Sequence, residues 1–324
     1  MSLLTVSGIS KRSGSDFELK DINFSQQRGQ KIAIAGETGS GKSTLLKIIA
    51  GLAQPDTGSV IFDGQKILGP EEKLIPGHPG IAFLSQHFEL RNNYRVEELL
   101  EMANKISPIE AETIYKICQV EHVLQRRTDQ LSGGEKQRIA TARLLITSPT
   151  LLLLDEPYSN LDMSHKKILK SVINDIGKKL QITCILISHD PLDTLSWADL
   201  IMVMQDGKII QAGTPEEIYR RPRNEYVASL FGDYNIISSA VATRLGVLNT
   251  NGQNIFTRPE DYRLVQNEEQ PMIAEVEKIN FLGGYCQVEV RVEDASIIVT
   301  APECNFLKGD LVYVSLTKKE HWYL

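Results

Sequence analysis

Lys31-Ile32-Ala33-Ile34-Ala35-Gly36-Glu37-Thr38-Gly39-Ser40-Gly41-Lys42-Ser43 reads as a short apolar strand running straight into a glycine loop. Ser43-Thr44-Leu45-Leu46-Lys47-Ile48-Ile49-Ala50 follows with a helical pattern, and Gly51 supplies a stop. Strand, glycine loop and helix, in that order, form the setting in which a loop of this kind cradles phosphate. The glycines let the backbone curl until its N–H groups converge on phosphate oxygens. The following helix adds the positive end of its dipole. Gly36 to Thr44 is therefore the candidate nucleotide-binding run, with the Lys42 charge directed at the β- and γ-phosphates and the Ser43 hydroxyl at Mg2+.

Two further stretches give this loop a context. Leu151-Leu152-Leu153-Leu154-Asp155-Glu156-Pro157 is an apolar strand ending in two acids. A carboxylate at Asp155 can reach a metal at the C-terminal edge of a sheet, and Glu156 can take a proton from an attacking water. Alone, the stretch is equally well a strand ending in a polar turn; beside the glycine loop the functional reading wins. Leu131-Ser132-Gly133-Gly134-Glu135 is a capping box that opens an amphipathic helix with Ile139, Ala142, Leu145 and Ile146 on one face. A cap does not need two glycines, which weaken a first turn. Close approach of an anion to bare N–H groups at the helix end accounts for them.

In this order the three motifs resemble the ATP-binding cassette (ABC) ATPases, over residues 1–232. The resemblance implies ATP and Mg2+ as cofactors and an α/β fold. That fold is a phosphate-loop cassette with a parallel core sheet, an antiparallel β subdomain and a helical subdomain at about 87–148. Gln86 then matches the glutamine that contacts Mg2+ alongside Ser43 and Asp155, and links the helical lobe to the core. Ser159-Asn160-Leu161-Asp162 matches the loop that crosses a dimer interface. His189 matches the switch histidine at the γ-phosphate and joins Glu156 in the catalytic pair. In the family two cassettes close head to tail, so Ser132, Gly133, Gly134 and Asp162 would serve ATP bound by a second copy of the chain. The family usually places an adenine-stacking ring upstream of the loop lysine, where this chain has Ser13. Phe17 either replaces that ring or is a buried strand residue, as the alternation around it favours. After Gln86, His87-Phe88-Glu89-Leu90-Arg91-Asn92-Asn93-Tyr94 departs from sugar-importing relatives, in the segment that grips the membrane partner.

Beyond the cassette, Gly213-Thr214-Pro215-Glu216-Glu217-Ile218-Tyr219, Arg258-Pro259-Glu260 and a glycine-punctuated strand region resemble importer ATPases that carry a TOBE domain. The expected boundary is Gly232-Asp233, with 233–324 forming a small all-β, OB-like barrel. OB-like barrels can bind nucleic acid, but acids such as Glu268, Glu269, Glu275 and Glu277 are common here, so none is expected. The resemblance implies an ATPase subunit on the inner face of the cell membrane, peripheral and cytoplasmic, serving an integral-membrane permease with an external solute-binding protein. Sugar, polyamine, ferric iron and oxyanion remain open as the solute class. The rival readings are a soluble ABC ATPase acting on a non-membrane partner and the ATPase of an exporter.

Composition sets the outer bounds. The chain has 324 residues, 42% hydrophobic and 23% charged, enough for a sizeable core and for two domains. A net charge of -6 argues against an anionic partner surface. The four cysteines show no paired spacing, so neither a disulfide nor a metal site is expected. The N-terminal residues lack the apolar core of a signal peptide, and no apolar run approaches the ~20 residues of a membrane helix.

Overall fold

The computed structural model describes residues 2–13, 17–85, 90–159, 161–247, 252–265, 272–293, 295–317 and 322–324. Gln86, the segment 87–89, Asn160, Glu268 and Glu269 lie outside the described residues, and so do the side chains of Ser13 and Phe17. The chain forms two compact units, Met1–Pro215 and Glu216–Leu324.

The first unit carries two sheets. Ser2–Ser13 (β1), Phe17–Gln27 (β2), Thr57–Phe62 (β4) and Gln65–Lys66 (β5) form an antiparallel sheet in the order β2-β1-β4-β5. Lys31–Ala35 (β3), Ile81–Leu84 (β6), Leu151–Asp155 (β7), Thr183–Ile187 (β8), Leu200–Gln205 (β9) and Lys208–Gly213 (β10) form the other. Among the described residues its order is β10-β9-β3-β8-β7-β6, parallel except for the β10 edge. Every residue of β7 and β8 is buried, which fits a parallel sheet covered on both faces. Ile32, Ile34, Leu45, Leu151, Leu153, Ile185 and Met202 join Leu4, Ile9 and Ile22 of the antiparallel sheet in one core.

The Asp63-Gly64 and Asp206-Gly207 turns have φ of 48° and 78°, and of 48° and 75°. Positive φ at both central residues is what the tight hairpin turn requires. β1 is a strand that hydropathy alone does not announce. Its register shifts three times, and neighbouring Leu3 and Leu4 are both buried, so the alternation that marks a strand is broken.

Helices cover the parallel sheet and build the insert between β6 and β7. They are Lys42–Ile49 (α1), Val96–Glu101 (α2), Pro108–Cys118 (α3), Gly133–Leu145 (α4), Met163–Lys179 (α5) and Pro191–Leu195 (α6). The Ser107 box closes as its sequence requires: the Glu110 N–H donates to Ser107 Oγ (3.3 Å) and the Ser107 N–H to Glu110 Oε2 (3.0 Å). Cys118 and Cys184 are buried thiols, each pushed up to about 12 by burial.

Pro215–Arg220 (α7) leads into the second unit, which continues with Glu225–Leu230 (α8), Asn235–Ile237 (β11), Ser239–Arg244 (α9) and Ile255–Thr257 (β12). Tyr262–Val265 (β13), Met272–Phe281 (β14), Cys286–Val292 (β15), Ala295–Ala301 (β16) and Leu311–Leu316 (β17) precede Trp322–Tyr323 (β18). The main sheet runs β13-β17-β14-β15-β16, with β11-β12-β18 as a smaller sheet. The two edges of the main sheet, β13 and β16, curl towards each other without pairing among the described residues, a half-barrel.

Two expectations need correction here. The units divide at Pro215/Glu216, before Gly232, because the helical segment is tied to the strands that follow it. Arg258, 1% exposed, donates to the carbonyls of Tyr219 (3.1 Å), Ala228 (3.1 Å), Gly232 (2.9 Å) and Asp233 (3.0 Å). The Trp322 indole N–H donates to Pro222 O (2.7 Å). The second correction is a disulfide joining Cys286 to Cys304. They lie eighteen positions apart in the sequence, so no local spacing marks the pair, and their Cα atoms meet at 5.6 Å only once the sheet has formed.

Candidate functional site

The glycine loop lies at the C-terminal edge of the parallel sheet, between β3 and α1. Gly36 has φ 148°, and a Cβ there would lie 2.2 Å from the Met204 carbonyl oxygen, so no side chain fits. Gly41 caps α1 with φ 101°. The loop curls over its own lysine: the Lys42 ammonium donates to Gly36 O (2.8 Å) and Glu37 O (2.7 Å), and less closely to Ser40 Oγ (3.4 Å). Lys42 is 6% exposed, and burial lowers its pKa against the attraction of Glu156, Asp155 and Glu37. The carbonyl and hydroxyl oxygens that an ammonium holds in this way can be exchanged for a phosphate oxygen.

β7 brings the acids to the same edge. Ser43 Oγ donates to Asp155 Oδ1 at 2.9 Å. Burial pushes the Asp155 carboxyl above its ordinary value and the Glu156 charge adds to this, while the Ser43 hydrogen bond, Lys47 and Lys42 oppose it. A carboxylate whose charge is poorly compensated next to a hydroxyl is an oxygen donor set suited to Mg2+, which binds through one or two protein oxygens plus phosphates and waters. Glu156 turns out of the strand with φ 48°, a conformation costing about 1–2 kcal/mol for a residue with a Cβ. Its N–H donates to Ile187 O on β8 (3.1 Å), which holds the turn. Thr38, Gly39, Gly41, Lys42, Ser43, Thr44 and Glu156 line one cavity of about 240 Å³.

His189 follows β8, and its Nδ1 lies 3.5 Å from Glu156 Oε2, with the ring 70% exposed. Its neighbours are braced from α5. Lys166 pairs with Asp190 and with Asp193 (3.3 Å), Lys170 pairs with Asp193, and the Ser188 hydroxyl donates to Asp193 Oδ2 (2.9 Å). Sequence reasoning missed this brace. The only local trace of it is Asp190 capping α6, where the Leu192 N–H reaches its Oδ1 (2.9 Å).

Ser132, Gly133, Gly134 and Asp162 do not line the cavity. Ser132 caps α4, accepting from the Glu135 N–H (3.2 Å), while the Ser132 N–H donates to Glu135 Oε2 (2.8 Å). Burial works against the Glu135 charge, but these bonds with Arg126 and Arg138 hold its carboxyl below the ordinary value. The Gln137 amide, on the same helix, donates to the Pro157 carbonyl and ties α4 to the strand end bearing Asp155 and Glu156. Asp162 caps α5, and the His165 N–H, Ser164 hydroxyl and His165 ring keep its carboxyl well below the usual range.

Comparison with known proteins gives consistent matches. Residues 19–159 match the family described as ABC transporter. The sulfate/thiosulfate import ATP-binding protein CysA of Synechococcus elongatus is 34% identical over 303 residues, 91% of this chain and 88% of that protein. The spermidine/putrescine import ATP-binding protein PotA of Clostridium acetobutylicum is 30% identical over 319 residues, 92% of this chain and 89% of that protein. An ATP-binding cassette solved as a dimer in a post-hydrolysis state with ADP and Pi superposes with a TM-score of 0.56 at 25% identity. That match spans 65% of this chain and 98% of the cassette. A second cassette, in its ADP conformation, gives a TM-score of 0.59 at 26% identity over 71% of this chain and 98% of its own.

Proposed function

The chain belongs to the ABC transporter family, and from that membership we propose that it is the ATP-hydrolysing subunit of an importer, working as a homodimer on a membrane permease. The observation that carries this reading is the convergence on one cavity edge of Lys42, the Ser43–Asp155 pair at 2.9 Å and Glu156. ATP enters with its phosphates over the loop amides, and Lys42 leaves its carbonyl partners to meet them. Ser43 and Asp155 would hold Mg2+, which supplies charge neutralisation for the phosphates. Glu156 orients the attacking water and accepts its proton. His189, within reach of Glu156, contacts the γ-phosphate and reports its loss.

Ser132 and Gly133, which do not line this cavity, serve ATP on the second copy. The dimeric cassette with ADP and Pi supports such an arrangement. Asp162 lies at the end of the loop that crosses between copies. The second unit is read as TOBE-like. Among the described residues no helix is long and apolar enough to cross a membrane; the permease is proposed on the strength of the import relatives. A cytoplasmic, peripheral position and an external solute-binding protein complete the proposal. The relatives' names direct the solute search to oxyanions and polyamines first, with sugars and ferric iron behind them.

The test is to isolate the protein from membranes in mild detergent and identify the hydrophobic subunit that accompanies it. ATPase activity of that complex in vesicles is then measured with sulfate, thiosulfate, spermidine and putrescine. Association with a soluble scaffold or ribosomes, and no membrane subunit, would overturn the importer assignment while leaving the ATPase intact.

A further inference from the structure

Gly133 and Gly134 stand side by side, but their surroundings differ. A Cβ on Gly133 would meet nothing within 4 Å. On Gly134 it would lie 2.3 Å from His165 Cδ2, 2.7 Å from Cγ and 3.0 Å from Cβ. His165 sits in the first turn of α5 and is held from both ends. Its N–H donates to Asp162 Oδ1 at 2.9 Å, and its ring Nδ1 lies 2.7 Å from Asp162 Oδ2. With the ring tethered and its Cβ also close, a side chain at position 134 cannot be accommodated by a simple rotamer change. It would have to push α4 and α5 apart.

We propose that His165 is a positioning residue for ATP hydrolysis: seated on Gly134 and pinned to Asp162, it locks the N-terminus of α4 to the start of α5. The second glycine is thus required by an imidazole of the same chain, and only the first keeps an open face for phosphate. Two elements proposed to act across the dimer interface, the Ser132–Gly133 helix end and the loop ending at Asp162, then move as one body. This inference rests on the ATPase reading above and adds a residue to it. Nothing in the order of the motifs marks position 165, because the contact joins two helices that are distant in sequence.

The experiment uses the full chain and three variants, Gly134→Ala, His165→Ala and the two combined. Steady-state Mg2+-ATPase is read as kcat and KM, alongside binding of a fluorescent ATP analogue. Gly134→Ala should lower kcat by about tenfold or more, with KM and analogue binding within about twofold, since the phosphate loop is untouched. His165→Ala should cost about three- to fivefold in kcat, on the scale of coupling between contacting residues. The combined variant should return to the level of His165→Ala, above Gly134→Ala. His165→Asn, whose amide can still donate to Asp162, should recover most of the loss in His165→Ala. A combined variant no better than Gly134→Ala would overturn the proposal, because the glycine would then be needed for nucleotide approach. Wild-type kcat in His165→Ala would overturn it too. If Gly134→Ala fails to fold, recovery of folding and turnover in the combined variant reads the same contact. An inactive wild type would refute the ATPase reading beneath the proposal, a distinguishable outcome.

Discussion

Replacing Arg258 by methionine should unfold the second unit at much lower urea concentration, and the size of the effect follows from its partners. The guanidinium is 1% exposed and contacts four carbonyl oxygens, of Tyr219, Ala228, Gly232 and Asp233, at 2.9–3.1 Å. It also stacks 4.1 Å from the centre of the Tyr219 ring and 4.9 Å from that of Phe256. Burial lowers its pKa and Tyr219, Glu260, Asp261 and Asp233 oppose this, so the four carbonyls surround a buried charge whose desolvation they help to offset. Methionine fills part of the volume but removes the guanidinium from all four carbonyls; Ala228 O keeps the Phe231 N–H (3.3 Å), and each carbonyl left without a donor costs about 1–3 kcal/mol before relaxation. Relaxation and water entry make the terms less than additive, so the expected loss is about 3–5 kcal/mol, the scale of breaking a buried charged network. For a unit of this size that is a fall in melting temperature of roughly 15–25 °C. Arg258→Lys keeps the charge but not the fork, and should lose about half as much. The assay is urea unfolding of the full chain carrying Trp197→Phe, so that fluorescence comes from Trp322. Its indole bonds Pro222 in the same segment that Arg258 anchors. A midpoint shift equivalent to less than about 1 kcal/mol would refute the account, including the placement of residues 216–232 within the second unit.

The catalytic edge makes three further predictions. Lys42→Ala should weaken ATP binding by at least about a hundredfold, measured by analogue fluorescence, because a buried charge-assisted contact to phosphate is lost. Glu156→Gln should bind ATP normally, slow turnover by about 10²–10⁴-fold and accumulate an ATP-bound dimer in size-exclusion chromatography; near-normal turnover would remove Glu156 from the base role. Asp155→Asn should raise the melting temperature of the nucleotide-free protein at neutral pH while abolishing Mg2+-supported hydrolysis. The sign follows from the upward shift at Asp155: its folded pKa lies above the unfolded value, so the ionised form destabilises the fold at neutral pH. That penalty fades as pH falls through the raised pKa, so the melting advantage of Asp155→Asn should shrink on acidification. An advantage that is constant with pH would point to packing instead of charge.

How much of this was legible in the sequence depended on how far apart the deciding residues lie. The phosphate loop, the acidic strand end and the Ser132 and Ser107 caps are each written in a short contiguous run. The two caps close their hydrogen bonds within a few residues, as in Ser132 with Glu135. The strands β3, β7, β8 and β9 were likewise readable, because burial on both faces leaves a near-continuous apolar run. β1 was not, because its bulges shift Leu3, Leu4 and Ile9 out of simple alternation.

The sequence by itself determined the class of chemistry: a glycine loop after an apolar strand, a glycine-bearing helix cap and a strand ending in two acids stand in the order that the ABC ATPases share. Tertiary structure alone decided which neighbours those residues keep. The two glycines of the run look alike in sequence, but only folding sets one in the open and the other beneath His165. Arg258 reads as part of a turn until its fork reaches back to Tyr219 and Ala228, moving the domain boundary with it. Cys286 and Cys304 carry no spacing signal until the sheet brings them together. The physical reason is common to all three. Local hydrogen bonding and hydrophobic periodicity are properties of a short segment, whereas steric fit and the pairing of buried polar groups exist only between segments that the fold has already brought into contact.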